Sequence, residues 1–113
     1  MKRLLDATSG DVEMEEELLS ALRQNVVDRL PLLKMGLQNR IKDQAVLYSH
    51  DFKGSCATIG LEGVRKTAME IERLCIENQL EAAMQMYSQL ESDIKQGFEL
   101  LEEYIKNKKR KAA

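Results

Sequence analysis

The chain has 113 residues, of which 43% are hydrophobic and 32% charged, and a formal net charge of −2. That is enough for one domain with its own core, residues 1–113 read as a single unit, and the charge balance does not favour nucleic acid as a partner. No stretch is apolar for the roughly 18 residues that a membrane-spanning helix needs, and the segment Met1 to Asp6 has no apolar run of signal-peptide length. No membrane insertion is therefore expected, and the cytoplasm is the default location. The two cysteines, Cys56 and Cys75, are too few and too far apart for a disulfide framework or a metal knuckle, and read as small buried hydrophobes.

Leu, Glu, Lys, Ala, Gln and Met dominate, with one proline and no tryptophan, which is the palette of strong helix formers. Asp11 can cap a first helix, whose stripe is Leu18, Leu19, Leu22 and Val26. Glu13, Glu15, Glu16 and Glu17 suit the positive end of its dipole. Pro31 predicts a break or a new start, because proline fits a first turn and not a helix interior. A short second helix would then carry Leu33 and Leu37, and Asn39 to Asp43 reads as a polar turn with Asp43 as the next cap.

The third helix is expected from Gln44 to Ile59, with Ala45, Ser49, Phe52, Cys56 and Ile59 on its core face and Gly60 ending it. The fourth runs from Leu61 to Glu77, with Val64, Ala68, Ile71 and Cys75 inward, and Asn78 stops it. The last runs from Leu80 to Asn107, with Leu80, Ala83, Tyr87, Leu90, Ile94, Phe98, Leu101 and Ile105 as its stripe. Narrow stripes joined by short turns predict an all-α fold, an antiparallel four-helix bundle with an additional N-terminal covering helix. The basic residues from Lys106 to Lys111 read as a solvated, frayed tail over 106–113, favoured at a helix C-terminus by the dipole.

The one histidine, His50, does not belong to that core. With His50 at 0°, the core face of its helix centres near about 220°, while Lys53 falls near about 300°, Gly54 near about 40° and Ala57 near about 340°. These four share an outward face. Gly54 costs roughly 1 kcal/mol against alanine in a helix interior and on this face has no packing reason to be there. Its absent side chain clears the approach to His50 from one turn away. Lys53 lies beside the imidazole and can offset the charge of a phosphoryl group on it. Imidazole, with an ordinary pKa of about 6.5, is nucleophilic near neutral pH.

Tyr48 to Leu61, which holds His50-x-x-Lys53-Gly54 and Gly60, together with Val64, Ile71 and Glu72, resembles the core motif of histidine-containing phosphotransfer (HPt) domains. The likeness extends more loosely from Leu4 to about Ile105. It implies that His50 accepts a phosphoryl group, on Nε2, from a receiver-domain aspartyl-phosphate and passes it to another receiver in a phosphorelay. Lys53 matches the lysine that supports the phosphoryl group, and Gly54 the glycine that clears access. Glu72 falls where the family often has a residue that holds the imidazole. Antiparallel geometry permits this, since His50 and Glu72 stand about 15 and about 18 Å from the Gly60 turn. Ser49 and Asp51 depart from the commonest pattern. Asp51 adds negative charge near the acceptor, with partner choice or phosphate lifetime as its expected effect.

No glycine-rich nucleotide loop is present, so the expectation is a phosphocarrier without its own ATP site or catalytic activity. No bound metal or cofactor is expected on this chain, and Mg²⁺ should come with the partner receiver. The expected partners are response-regulator receiver domains and a hybrid sensor histidine kinase, meeting a surface with Val46 and Ala57 at its centre. A monomer is the simplest expectation, and the chain reads as free-standing. The rival reading is an adaptor of the same fold that binds a kinase or receiver without carrying phosphate.

Overall fold

The computed structural model describes residues 12–59 and 61–112, and at 55–59 and 112 it describes the backbone alone. Among the described residues five helices follow one another: α1 (Val12–Gln38), α2 (Lys42–Ile59), α3 (Glu62–Ile76), α4 (Leu80–Gln85) and α5 (Tyr87–Ala112). No strand occurs among the described residues. α1, α2, α3 and α5 form the bundle, which measures 51 × 19 × 18 Å. Its core is Leu22, Val26, Leu33, Leu37, Ala45, Phe52, Leu61, Val64, Ala68, Ile71, Leu74, Cys75, Ala83, Tyr87, Leu90, Ile94 and Leu101. The predicted stripes therefore face inward. The Asp11 cap and the Gly60 stop, and the side chains of Cys56 and Ile59, lie outside the described residues.

Pro31 does not break the chain. It lies inside α1, so the expected first and second helices are one. Proline removes one i→i−4 hydrogen bond and crowds the preceding turn, at about 3 kcal/mol. Here Pro31 is exposed, and Val27, whose carbonyl loses its partner, is 65% exposed, so water can serve that carbonyl. Leu22 and Val26 before the proline, and Leu33 and Leu37 after it, bury against the same core, which offsets the local cost. The segment expected to cover one end of the bundle is the first part of α1.

Two turns close in the same way. Arg40 and Asn78 adopt left-handed backbone, at φ 55° and 63°. After α1, the amide of Ile41 donates to the Gly36 carbonyl at 2.8 Å and that of Arg40 to Leu37 at 3.4 Å; after α3, Gln79 donates to Leu74 at 2.8 Å and Asn78 to Cys75 at 3.1 Å. This paired pattern is the Schellman motif, which serves the orphan carbonyls of a helix end. Asp43 is not the cap of α2 but sits in its first turn. The expected last helix is divided at Met86, whose amide donates to Ala83 at 3.1 Å in a tightened turn before α5 resumes.

The basic tail is helical to Ala112, beyond the point where fraying was expected. Ion pairs from the other end of the chain hold it. Lys108 pairs with Glu15, whose side chain is fully buried, and Lys109 pairs with Glu16 at 2.7 Å. Glu15 is thus more than an acidic residue matched to the dipole of α1, although its Oε2 is buried without a hydrogen-bond partner.

α1 and α2 approach closely at Gly36, where an added Cβ would stand 2.9 Å from the Ala45 amide nitrogen; at Gly54 an added Cβ would meet nothing within 4 Å. Nearby, the Gln44 side-chain amide donates to the Leu32 carbonyl at 2.7 Å. The same substitution should therefore act with opposite signs at the two sites. Gly36→Ala should destabilise by about 1–3 kcal/mol through backbone displacement. Gly54→Ala should stabilise by up to about 1 kcal/mol. Urea unfolding midpoints check both, and equal effects at the two positions would contradict the packing described.

Candidate functional site

α2 presents the site because its opposite face is anchored. Ala45, Ser49 and Phe52 are buried in the bundle. Ser49 would leave a polar atom in the core, but its hydroxyl donates back to the Ala45 carbonyl at 2.7 Å and also lies 3.1 Å from that of Val46. A serine thereby fits a position where a small apolar residue is the simpler choice. With that face fixed, the helical period turns His50 outward, and 62% of its side chain is exposed.

The imidazole is held from α3. His50 Nδ1 lies 2.7 Å from Glu72 Oε2, and Lys53 Nζ donates to Glu72 Oε1 at 2.8 Å. One carboxylate therefore spans His50 and Lys53. Only 12% of the Glu72 side chain is exposed. Partial burial pushes its carboxyl pKa up, but the hydrogen bonds from Lys53 and His50, with their charges, outweigh this and leave it below the ordinary 4.5. Glu72 is thus ionised near neutral pH, and an ionised carboxylate only accepts. In the neutral ring the proton between them therefore belongs to Nδ1 and the lone pair to Nε2. Beneath Glu72, one turn on, burial and then the Glu72 charge push the Cys75 thiol up to about 11, so it stays a neutral part of the core.

The other expected residues are placed as follows. Gly54 is exposed, with the open space already noted. Val46 is half-buried and packs against the core, so only part of it is presented outward. The side chain of Ala57 lies outside the described residues. Asp51 turns towards α1, where its carboxylate stands 3.9 Å from Arg29, a partner that sequence reasoning did not supply. The described residues contain no group of three or more His, Cys, Asp or Glu side chains able to hold a metal ion, and none of their helices is long and apolar enough to cross a membrane.

Three exposed apolar residues around His50 were also missed: Leu47 at 54%, Met69 at 44% and Ile76 at 54% exposure. The contacts of Glu72 fix the register of α2 against α3. In that register Ile76, one turn after Glu72, is level with Val46, one turn before His50. Met69, three residues before Glu72, is level with Lys53. The signal was available as the i±3 and i±4 spacing of Met69 and Ile76 about Glu72.

A helical bundle with an accessible imidazole on one central helix, oriented by a carboxylate on its neighbour and flanked by a lysine and a glycine, defines a class of histidine-bearing signalling modules. The chain belongs to the Hpt domain family, whose model matches residues 17–106. A curated relative, the phosphorelay intermediate protein rdeA of Dictyostelium discoideum, is 36% identical over 104 residues, which cover 92% of this chain and 41% of the relative. The chain thus spans well under half of that protein's length. No solved structure matches the chain significantly.

The lowered Glu72 pKa has a consequence for stability. The folded state prefers the ionised carboxylate, so its contribution is present above the ordinary carboxyl range and is lost as the pH falls through the folded value. Glu72→Gln removes it. Urea midpoints of the two proteins should differ at about pH 7 and converge towards about pH 3; a gap that stays constant over that range would show that the ionised pair does not contribute.

Proposed function

We propose that this chain is a phosphocarrier. The lone pair of His50 Nε2 attacks the phosphorus of an aspartyl-phosphate on a receiver domain, and the bond from phosphorus to the aspartate oxygen breaks. The reverse exchange then delivers the phosphoryl group to the aspartate of a second receiver. The observation that carries this reading is the arrangement of His50, whose side chain is 62% exposed while Nδ1 is bound to one oxygen of Glu72 and Lys53 to the other. Membership of the Hpt domain family supports it, as does the likeness to a protein named as a phosphorelay intermediate.

Phosphoryl transfer needs in-line positioning and charge neutralisation. An exposed imidazole provides the first once a partner docks. Lys53 provides part of the second by leaving Glu72 Oε1 for the phosphoryl oxygens. Gly54 keeps the approach open. The chain needs no ATP site or resident metal in this scheme, because the receiver brings its own Mg²⁺ and the energy is already in the acyl phosphate. The partners are response-regulator receivers and a hybrid sensor kinase, and the setting is the cytoplasm. The docking face is Val46 joined by Leu47, Met69 and Ile76, a small apolar centre with a charged rim, to which the sequence reading adds Ala57. Such a contact is suited to modest, transient binding.

Transfer from a panel of phosphorylated receivers in Mg²⁺ tests the reading. Labelled phosphate should appear on the wild type, labile in acid and stable in base, and His50→Gln should take none. Lys53→Ala should slow transfer by about a hundredfold, as for the loss of one preorganised donor. Gly54→Ala should slow it while raising the unfolding midpoint. Receivers that bind the wild type and never transfer to it would favour a non-phosphorylated adaptor.

A further inference from the structure

The group that orients His50 is a carboxylate, and this matters beyond orientation. A neutral amide in the same place would fix the ring by a hydrogen bond alone. Glu72 adds a charge, which acts on any form of the ring that is positive. Its side chain is 12% exposed against 62% for His50, so the charge sits where water screens it less than at the open surface.

Two forms of a ring phosphorylated on Nε2 are possible. In one, Nδ1 keeps its proton and the ring is a phosphoimidazolium. In the other, that proton is gone. They differ as donors. From the first, the Nε2–P bond breaks, its electron pair stays on Nε2, and the product is neutral imidazole. From the second, the product is imidazolate, a far stronger base and a much poorer leaving group.

On the carrier reading above, we infer that Glu72 holds the proton on Nδ1 of phospho-His50, so that the phosphoryl group departs from a neutral imidazole. The phosphorus bonds to a carboxylate oxygen of the accepting aspartate as the Nε2–P bond breaks, and no proton moves. His50 is returned with Nδ1–H on Glu72 and a free lone pair on Nε2, ready to accept again. Glu72 contacts neither the phosphorus nor the acceptor, so it is a positioning residue acting through the ring.

The surrounding charges leave this role to Glu72. On α2 the flanking groups are Lys53, which is bonded to the other Glu72 oxygen, and Asp51, which is turned to Arg29 of α1. On α3, Arg73 pairs with Glu70 and Glu77, and Arg65 pairs with Glu62 at 2.9 Å. Glu72 is the carboxylate in hydrogen-bond contact with the ring.

The test separates charge from orientation. Glu72→Gln keeps a carbonyl to accept from Nδ1–H and removes the charge. Wild type and E72Q are loaded with potassium phosphoramidate, and the phosphohistidine is titrated by ³¹P NMR, with thermal melting to show that both are folded. The wild-type midpoint should lie above that of E72Q by about one pH unit, the lower end for an opposite charge in contact. Transfer to a receiver aspartate should accordingly fall off at lower pH in E72Q. Superimposable titrations would overturn the inference and leave the carrier reading standing. A wild type that takes phosphate neither from phosphoramidate nor from any receiver would overturn both.

Discussion

Glu72 accepts from two donors that stand three residues apart on the neighbouring helix, and only one register between α2 and α3 allows both bonds. That register is set in the core, where Ala45, Ser49 and Phe52 of α2 and Ala68, Ile71 and Cys75 of α3 are buried. A shift of one residue would rotate each face by about 100° and carry the carboxylate away from the imidazole. α1 reinforces the arrangement from the other side, through the close approach at Gly36 and the Gln44 hydrogen bond to Leu32. The site is exposed, but its geometry comes from the interior. A surface histidine on a single helix would sample several rotamers; this one is tied across a packed interface.

Most of this was legible where the governing rule is local or nearly so. The stripes of α2, α3 and α5 follow from helical period. The level pairing of His50 with Glu72 follows from a short turn between antiparallel helices. Pro31 was misread because a local rule met a non-local gain: nothing within a few residues of the proline shows that Leu33 and Leu37 will bury against the same core as Leu22 and Val26. The pairing of Glu15 with Lys108 spans the chain ends, so composition shows an acidic start and a basic tail but not their contact. Arg29 is similar. Its partner Asp51 could be seen to point sideways, but the helix waiting there was split in the reading and could not be placed.

Gly36 and Gly54 show why residue type alone does not settle a role. Both sit in helices, where glycine has an entropic cost. At Gly36 the cost is offset inside the fold, because a side chain would strike the backbone of α2. At Gly54 the fold gains nothing, since a methyl group would enter open space. A glycine that packing does not require points to a constraint outside the free protein, and an approaching partner beside His50 is such a constraint. The open apolar side chains of Leu47, Met69 and Ile76 point the same way: each exposes surface that packing against the core would have covered.

The division of labour follows from these placements. A relay intermediate has to be both a nucleophile and a leaving group, and on a single imidazole those demands conflict: strengthening the base that attacks also strengthens the bond that later breaks. Fixing the proton on Nδ1 eases the conflict, because the attacking form and the departing form are then the same neutral tautomer. Lys53 is suited to the opposite half of the problem. Bonded to Glu72, it moderates the carboxylate; on the proposed scheme it would turn to the phosphoryl oxygens of a loaded ring and leave Glu72 to act on Nδ1–H alone. On that scheme the carboxylate would act most strongly on the ring in the loaded state, when departure is the next step.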